Sequence, residues 1–261
     1  MKLKKTVLCF LVLSMLVCTC GCVSKFKHVE CDGVSYDKGS YKDGTSYLSI
    51  ATVGFNYDKS NVIYIPPEIE GRRITALGSI YGWGASCNIY GPEKIYFPWT
   101  IEVSLIESIS YNEGAEYIIS ASTQTIIDTC TYFMYVIPKC MYNDPVRTYP
   151  VRSVLSNIDI REYSNIIPAN IAYFFNYEEN PNEGYFFVDL LEESGKIVKP
   201  PYDPKRSGYK FAGWYKEAEC VNAWDFENDI VEINFDEEGN RIYEEVCLYA
   251  RYEFKYNILT F

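Results

Sequence analysis

Histidine is almost absent from this chain, and its scarcity excludes several kinds of chemistry. His28 is the only histidine among the 261 residues. A Ser-His-Asp or Cys-His centre would have to be built around this one side chain. A zinc site needs about four clustered ligands, which one histidine and scattered cysteines do not offer. The sequence also lacks the Walker loop and the GxGxxG, HExxH and GxSxG motifs. We therefore expect a protein that is not an enzyme and that holds no cofactor and no metal.

Basic residues are also few, which argues against nucleic acid as a partner. The chain has 24 Lys and Arg against 35 Asp and Glu. Residues 1–21 hold three Lys and no acid, so the charge without them is 21 − 35 = −14. Binding to a phosphate backbone requires clustered Lys and Arg, and no basic stripe is visible. Paired acids such as Glu192/Glu193 are numerous, so a two-carboxylate glycosidase stays open as an alternative.

The apolar run at the amino terminus is too short to cross a membrane. Thr6 to Val17 is nearly all apolar and follows three lysines. It covers about 12 residues, typical of a secretory signal, whereas a bilayer needs about 20. Cys22, preceded by Gly21, resembles the lipidation site of bacterial lipoproteins, and Cys20 is the alternative. This resemblance implies cleavage after residue 21 and a lipid anchor at the extracellular face of a bacterial cell membrane. An ordinary cleaved signal peptide is the simpler interpretation.

Cysteines in the remaining chain form no dense disulfide framework. Exported proteins can form disulfides, yet no CxxC pair is present. Cys130 with Cys140 and Cys220 with Cys247 could each pair if folding brings them within about 6 Å. Buried free thiols are equally compatible with the spacing.

Aromatic and β-branched residues predict a mainly β protein. The chain has 25 Tyr, 14 Phe and 4 Trp, residues that favour pleated, half-buried surfaces. Residues 22–46 contain Asp and Gly turn signals without a sustained apolar period, and we interpret them as a tether. Four short apolar runs follow, most ending at or near proline, each with the length of one strand: 61–66, 94–98, 116–120 and 134–138.

The first of these runs resembles a leucine-rich repeat. Tyr64-Ile65-Pro66-Pro67, followed by Ile74 and Leu77-Gly78, is similar to the opening unit of BspA-type leucine-rich repeats. The small-Phe-x-x-Cys element of that family is blurred here, and the spacing is irregular. The resemblance implies that residues 47–168 form a degenerate β-solenoid with one short strand per turn. An unrelated β-sandwich is the alternative.

The carboxy-terminal third carries a more specific motif. Pro204 to Tyr215 reads PKRSGYKFAGWY, followed by Trp224-Asp225-Phe226 and Leu248-Tyr249-Ala250. This series resembles the Listeria–Bacteroides repeat (internalin B-repeat family), with Tyr252 where that family usually has Trp. The resemblance covers residues 170–254 and implies a small β-grasp-like domain, followed by a tail at 255–261. We expect its core motif to comprise Gly208, Tyr209, Phe211, Gly213, Trp214, Tyr215, Trp224, Phe226, Leu248, Tyr249 and Ala250. We also expect these rings to let residues 170–254 fold alone.

Both resemblances imply a non-catalytic, membrane-anchored surface protein that serves adhesion or ligand binding, without turnover. The expected partners are the membrane, through the lipid anchor, and an extracellular protein, glycan or wall component. Tyr81 and Trp83 are the residues we choose as ligand anchors, because large rings dominate interface energetics. Packing of Trp83 between coils is the structural alternative. A substrate-binding lipoprotein for uptake is a further alternative, although the helix-period segments of such two-lobed proteins are missing.

Overall fold

β-Strands dominate the chain, as the composition predicts. The computed structural model describes residues 28–31, 34–53, 62–78, 86–90, 93–104, 108–112, 117–123, 134–144, 146–151, 154–159, 165–239, 241–242 and 244–255. Within these ranges the helical elements are α1 (Lys139–Asn143) and a 3-10 turn (Asn182–Gly184). The mainly β fold class is confirmed.

The first sheet contains eight strands and begins with an antiparallel meander. It comprises β1 (His28–Cys31), β2 (Val34–Ser40), β3 (Ser46–Val53), β5 (Glu68–Ile69), β6 (Arg72–Leu77), β7 (Ser86–Tyr90), β9 (Val103–Ser104) and β10 (Ser108–Asn112). β1, β2 and β3 pair antiparallel in order. β3 then pairs parallel with β6 and β7, and β10 extends β7 in parallel. The pairing therefore changes from antiparallel to parallel at β3, and β5 adds an antiparallel pair with β6 at the far edge.

Residues 28–31 and 34–40, which we predicted to be tether, are strands of this sheet. Val34 and Tyr36 on β2 are each only 1% exposed and belong to the core. The tether prediction is wrong for this segment, because the alternation around Val34 and Tyr36 is too short to stand out in the sequence. One of the Asp and Gly turn signals of this segment, Asp43-Gly44, does form a turn. Gly44 has a φ of +89°, and the amide of Thr45 donates to the Asp43 carboxylate at 2.9 Å.

The second sheet contains five short parallel strands. They are β4 (Val62–Tyr64), β8 (Lys94–Phe97), β11 (Tyr117–Ser120), β12 (Met134–Ile137) and β15 (Ile166–Pro168). Each pairs with the next along the chain, so that Ile63, Ile95 and Ile118 stand side by side. The first four strands are the four apolar runs of the sequence, and Pro66, Pro98 and Pro138 follow three of them. The prediction of one strand per run is confirmed.

Both faces of the second sheet are buried, which explains why its strands read as continuous apolar runs. On β8, Ile95 and Phe97 enter a core shared with the first sheet, whereas Tyr96 enters a second core. Ile118 and Ile119 on β11 divide between the two cores in the same way. The second sheet is therefore the middle of three layers.

The third layer is a four-stranded sheet built from the carboxy-terminal third. It contains β16 (Ile171–Phe174), β17 (Tyr185–Asp189), β18 (Tyr209–Tyr215) and β21 (Val246–Phe254), in the order β17-β16-β21-β18. β16 and β17 form an antiparallel hairpin, β16 and β21 are parallel, and β18 and β21 are antiparallel. The β18 register shifts between Phe211 and Gly213. Two separate hairpins complete the strands: β13 (Val146–Val151) with β14 (Val154–Asp159), and β19 (Asn234–Phe235) with β20 (Arg241–Ile242).

The carboxy-terminal sheet does not close its own core. Tyr173 and Phe187 lie in one buried cluster with Tyr96, Ile119 and Val136 of the second sheet. Tyr96 stacks on Phe187 with ring centroids 5.1 Å apart. The expectation that the aromatic motif closes a self-contained core is therefore wrong, because one face of this sheet is covered by the middle layer.

Candidate ligand-binding cleft

A cleft of about 380 Å³ opens where the amino-terminal and carboxy-terminal parts meet. Its volume falls within the range of about 300–1,000 Å³ that is typical of small-molecule sites. Both parts of the chain supply its walls: Pro66, Pro67, Glu68, Arg73, Trp99 and Thr100 on one side, and Phe175, Tyr177, Pro181, Phe186, Tyr202, Asp203 and Lys205 on the other. The cleft therefore depends on the packing of the carboxy-terminal sheet against the middle layer.

Aromatic rings form the floor of the cleft. Trp99 meets Phe175 edge to face at 5.1 Å, and Phe175 meets Phe186 at 5.2 Å in the same manner. Phe186 in turn contacts Tyr202 at 5.6 Å. Phe175 and Phe186 are buried, whereas Trp99, Tyr177 and Tyr202 are half-buried. Edge-to-face pairs of this kind are worth about 0.5–1.5 kcal/mol beyond area burial, so the floor is held in place while three rings stay partly open.

Local chain geometry explains why these rings face one another. β8 of the middle sheet ends at Phe97, and Trp99 follows after Pro98. Tyr177 lies just beyond β16, whose last residue is Phe174. Tyr202 lies in the connection between β17 and β18, and its hydroxyl donates to the Ile65 carbonyl at 3.3 Å. The ends of two packed sheets and one connection thus converge at the cleft.

Charged side chains around the cleft are mostly engaged in opposite-charge pairs. The Lys205 ammonium contacts the Glu68 carboxylate. The Arg73 guanidinium is 3.4 Å from Glu102 and lies over the Trp99 ring, 5.3 Å from its centroid. Asp203 is exposed and adds a further carboxylate. The Arg206 guanidinium lies beside Tyr177 as a third cation. Three cations thus face three carboxylates, and the surroundings of the cleft carry no positive excess.

The tyrosines at the cleft stay protonated at neutral pH. Burial raises the pKa of the Tyr202 hydroxyl, and it also raises the pKa of Tyr177. The Arg206 guanidinium, 5.0 Å from the Tyr177 ring, opposes that rise in the Tyr177 pKa. Both hydroxyls are therefore neutral hydrogen-bonding groups.

A buried carboxylate links the two layers elsewhere in the shared core. The Tyr96 hydroxyl donates to Asp189 Oδ1 at 2.8 Å, and the Leu190 amide donates to the same oxygen at 2.8 Å. Tyr64 stacks on Tyr96 at 4.6 Å. Burial raises the pKa of the Asp189 carboxyl, against the lowering effect of the two hydrogen bonds. The pKa of Tyr96 is raised too, first by burial and then by the Asp189 charge.

Polar contacts also hold the layers together at the other end of the hairpin β16–β17. Asn182 Oδ1 accepts from the Thr123 amide at 2.7 Å and from its hydroxyl at 2.8 Å. The Asn182 side-chain amide donates to the Ala121 carbonyl at 2.7 Å. Because Asn182 has a φ of +56°, a conformation that Asn tolerates better than most residues, it suits this turn. The two walls of the cleft are thus fixed at several points.

The residues predicted from the repeat motif build the carboxy-terminal sheet. Gly208 and Gly213 flank and interrupt β18 with φ angles of +79° and +129°. Trp214 is only 2% exposed, and Leu248 and Ala250 are buried beside it. The other motif rings are partly buried: Tyr209, Phe211, Tyr215, Trp224, Phe226 and Tyr249.

The other predicted site residues are not placed. Cys22, Tyr81 and Trp83 lie outside the described residues, and their roles stay predictions. Cys220 and Cys247, which could have paired, are free thiols. Burial raises the pKa of Cys247 to about 11 and that of the buried Cys87 to about 12, so neither is a ready nucleophile. Cys130 lies outside the described residues.

Sequence reasoning missed the cleft residues Trp99, Tyr177 and Tyr202. The only local signal was their position just after strands or prolines, as in Pro98-Trp99. Aromatic residues at strand ends are common and do not by themselves indicate a cleft. Trp99, Tyr177 and Tyr202 converge because two sheets stack on each other.

Among the described residues no cluster of His, Cys, Asp or Glu is arranged to hold a metal ion. In the same part of the chain, no helix has the length and apolarity to cross a bilayer.

Comparison with known proteins agrees with the motif in the carboxy-terminal third. Residues 173–250 match the family model of the Listeria-Bacteroides repeat domain. The chain is 28% identical over 102 residues to a protein of Evansella cellulosilytica named as a membrane protein, a match that covers 36% of this chain and 14% of the relative. It is 27% identical over 90 residues to a second protein of that organism, named as a Gly-rich membrane protein, covering 34% of this chain and 9% of the relative. The chain thus spans a small part of the length of both relatives.

Proposed function

We propose that this chain is a non-catalytic surface protein that binds an extracellular ligand and is anchored to the bacterial membrane by a lipid. The observation that carries the proposal is the aromatic cleft, which is formed jointly by a Listeria-Bacteroides repeat and the sheets before it. Concave sites with an apolar floor and a few polar groups are the usual form of binding sites. The similarity to proteins named as membrane proteins supports a place at the cell surface.

Two finer assignments belong to this proposal. The parallel strands β4, β8, β11, β12 and β15, each paired with its neighbour along the chain, support a degenerate leucine-rich solenoid over residues 47–168. The strand order β17-β16-β21-β18, with its central pair parallel, supports a β-grasp-like repeat over residues 170–254. Repeat architectures bind partners through extended faces, and Pro66 and Trp99 of the cleft follow two of these parallel strands, β4 and β8.

A glycan-active enzyme is the second candidate, because Glu68 and Asp203 both lie in the cleft. A glycosidase needs one desolvated carboxyl as a general acid. Glu68 contacts Lys205, and both acidic side chains are exposed to solvent. Neither carboxyl lies in the apolar surroundings that such an acid requires, so binding without turnover is the better account.

The lipid anchor is tested by Cys22→Ala. We expect the wild-type chain in the detergent-soluble membrane fraction with a diacylglyceryl adduct on Cys22, and the variant in the culture medium or mislocalised. Cys20→Ala is the matched control and should leave the fractionation unchanged. A Cys22→Ala chain that stays on membranes, together with no adduct by mass spectrometry, would refute the anchor.

A further inference from the structure

We propose that the cleft takes a neutral saccharide, with a sugar ring lying against the half-buried rings Trp99, Tyr177 and Tyr202. The inference rests on the proposed function and adds the chemical class of the ligand. It follows from two properties of the cleft, its aromatic floor and its balanced, solvent-exposed charges.

The aromatic floor selects a ligand with an apolar face. Trp99, Tyr177 and Tyr202 are partly open to the cleft. The π-face of a ring carries negative partial charge, which attracts the weakly positive C–H groups on one face of a pyranose. Phe175 and Phe186 hold these rings from behind, so little further ordering is needed when a ligand binds.

The surrounding charges disfavour strongly anionic ligands. Both cations that line the cleft have an anionic partner, Glu102 for Arg73 and Glu68 for Lys205, and the nearby Arg206 guanidinium lies over the Tyr177 and Tyr209 rings. A phosphate, a sulfate or an acidic polysaccharide would have to break these pairs, and it would meet Asp203 as well. The charge of −14 on residues 22–261 adds a repulsive long-range field.

The same charges also disfavour a purely apolar ligand. Covering the charged side chains with hydrocarbon would remove water from them without offering new hydrogen bonds. Hydroxyl groups avoid this cost because each both donates and accepts. A carboxylate has about four acceptor sites and a guanidinium five donors, so Arg73, Glu68 and Asp203 keep capacity for hydroxyls beyond their ion pairs.

The test is calorimetric titration of the mature chain, residues 22–261, with three neutral trisaccharides: maltotriose, cellotriose and chitotriose. We expect at least one of them to bind, and Trp99→Ala to weaken that binding at least about tenfold, or about 1.4 kcal/mol. Tyr177→Ala and Asp203→Asn are second variants, expected to weaken it while keeping the melting temperature. Phe235→Ala, an aromatic residue 58% exposed and absent from the cleft lining, is the matched control and should bind as the wild type does.

A heparin tetrasaccharide and a decaproline peptide complete the titrations. The proposal is overturned if none of the neutral trisaccharides binds, if either of these two probes binds instead, or if Trp99→Ala leaves saccharide affinity unchanged. Capture of a protein ligand through Trp99 would sustain the proposed function while overturning the saccharide inference, so the two failures are distinguishable.

Discussion

Replacing Trp214 with alanine should lower the free energy of unfolding by about 3–5 kcal/mol, the usual cost of truncating a large buried ring. Trp214 is 2% exposed and meets Tyr173 edge to face at 4.9 Å and Phe211 at 5.2 Å. Since a folded domain is stable by only about 5–15 kcal/mol, the loss takes a large share of the total. Chemical denaturation followed by circular dichroism measures it.

Phe235→Ala supplies the control for this substitution. Phe235 is 58% exposed on the short strand β19, and surface changes of this kind alter stability by about 0.5 kcal/mol or less. Equal effects of Trp214→Ala and Phe235→Ala would place Trp214 at the surface. Trp214 would then become a candidate ligand platform.

Asp189→Asn should remove a pH dependence of stability. In the wild type, the Asp189 carboxyl makes the free energy of unfolding fall as pH rises. Burial raises the pKa of the folded Asp189 carboxyl above its ordinary value of 3.8. The folded chain therefore holds this proton at pH values where the unfolded chain has released it. The contribution of the Asp189 carboxyl to the free energy of unfolding is fully present below pH 3.8, and it is lost as pH rises through the folded pKa. The variant should gain stability relative to wild type across that window, measured by urea denaturation at a series of pH values.

Tyr96→Phe is the matched test of the same carboxylate. The Tyr96 hydroxyl donates to Asp189 at 2.8 Å and lowers its pKa. Removing the hydroxyl should raise the folded pKa further, so the loss of stability should extend to higher pH than in the wild type. If the pH dependence of all three proteins were the same, Asp189 would not be the buried group that the structure shows.

Much of the secondary structure could be predicted because it follows from local pattern. The runs around Ile63, Ile95 and Ile118 are continuous and apolar, since both faces of their sheet are buried. The register shift in β18 could be predicted from Gly213, because its φ of +129° is accessible mainly to glycine. Such features depend on a few neighbouring residues, so the sequence alone contains them.

Stacking between layers could not be predicted in the same way. Nothing near Tyr96 in sequence indicates that its hydroxyl reaches Asp189, 93 positions away. The same is true of Trp99 and Phe175, whose contact forms one end of the cleft floor. The motif in the carboxy-terminal third predicted a self-contained core because it specifies one sheet. The second face of that sheet is covered by residues outside the motif.

Binding without turnover at the cleft is tested most directly by a glycan and extracellular-matrix array probed with the mature chain. Three proteins are compared: the wild type, Trp99→Ala, and Tyr81→Ala combined with Trp83→Ala. The account predicts at least one retained ligand that Trp99→Ala loses and whose mass is unchanged after prolonged incubation with the wild type. A ligand that Trp99→Ala still binds, and that the variant carrying both Tyr81→Ala and Trp83→Ala does not bind, would place the site at Tyr81 and Trp83, as the sequence predicts. The absence of any ligand, or a ligand whose mass changes during incubation, would contradict the account.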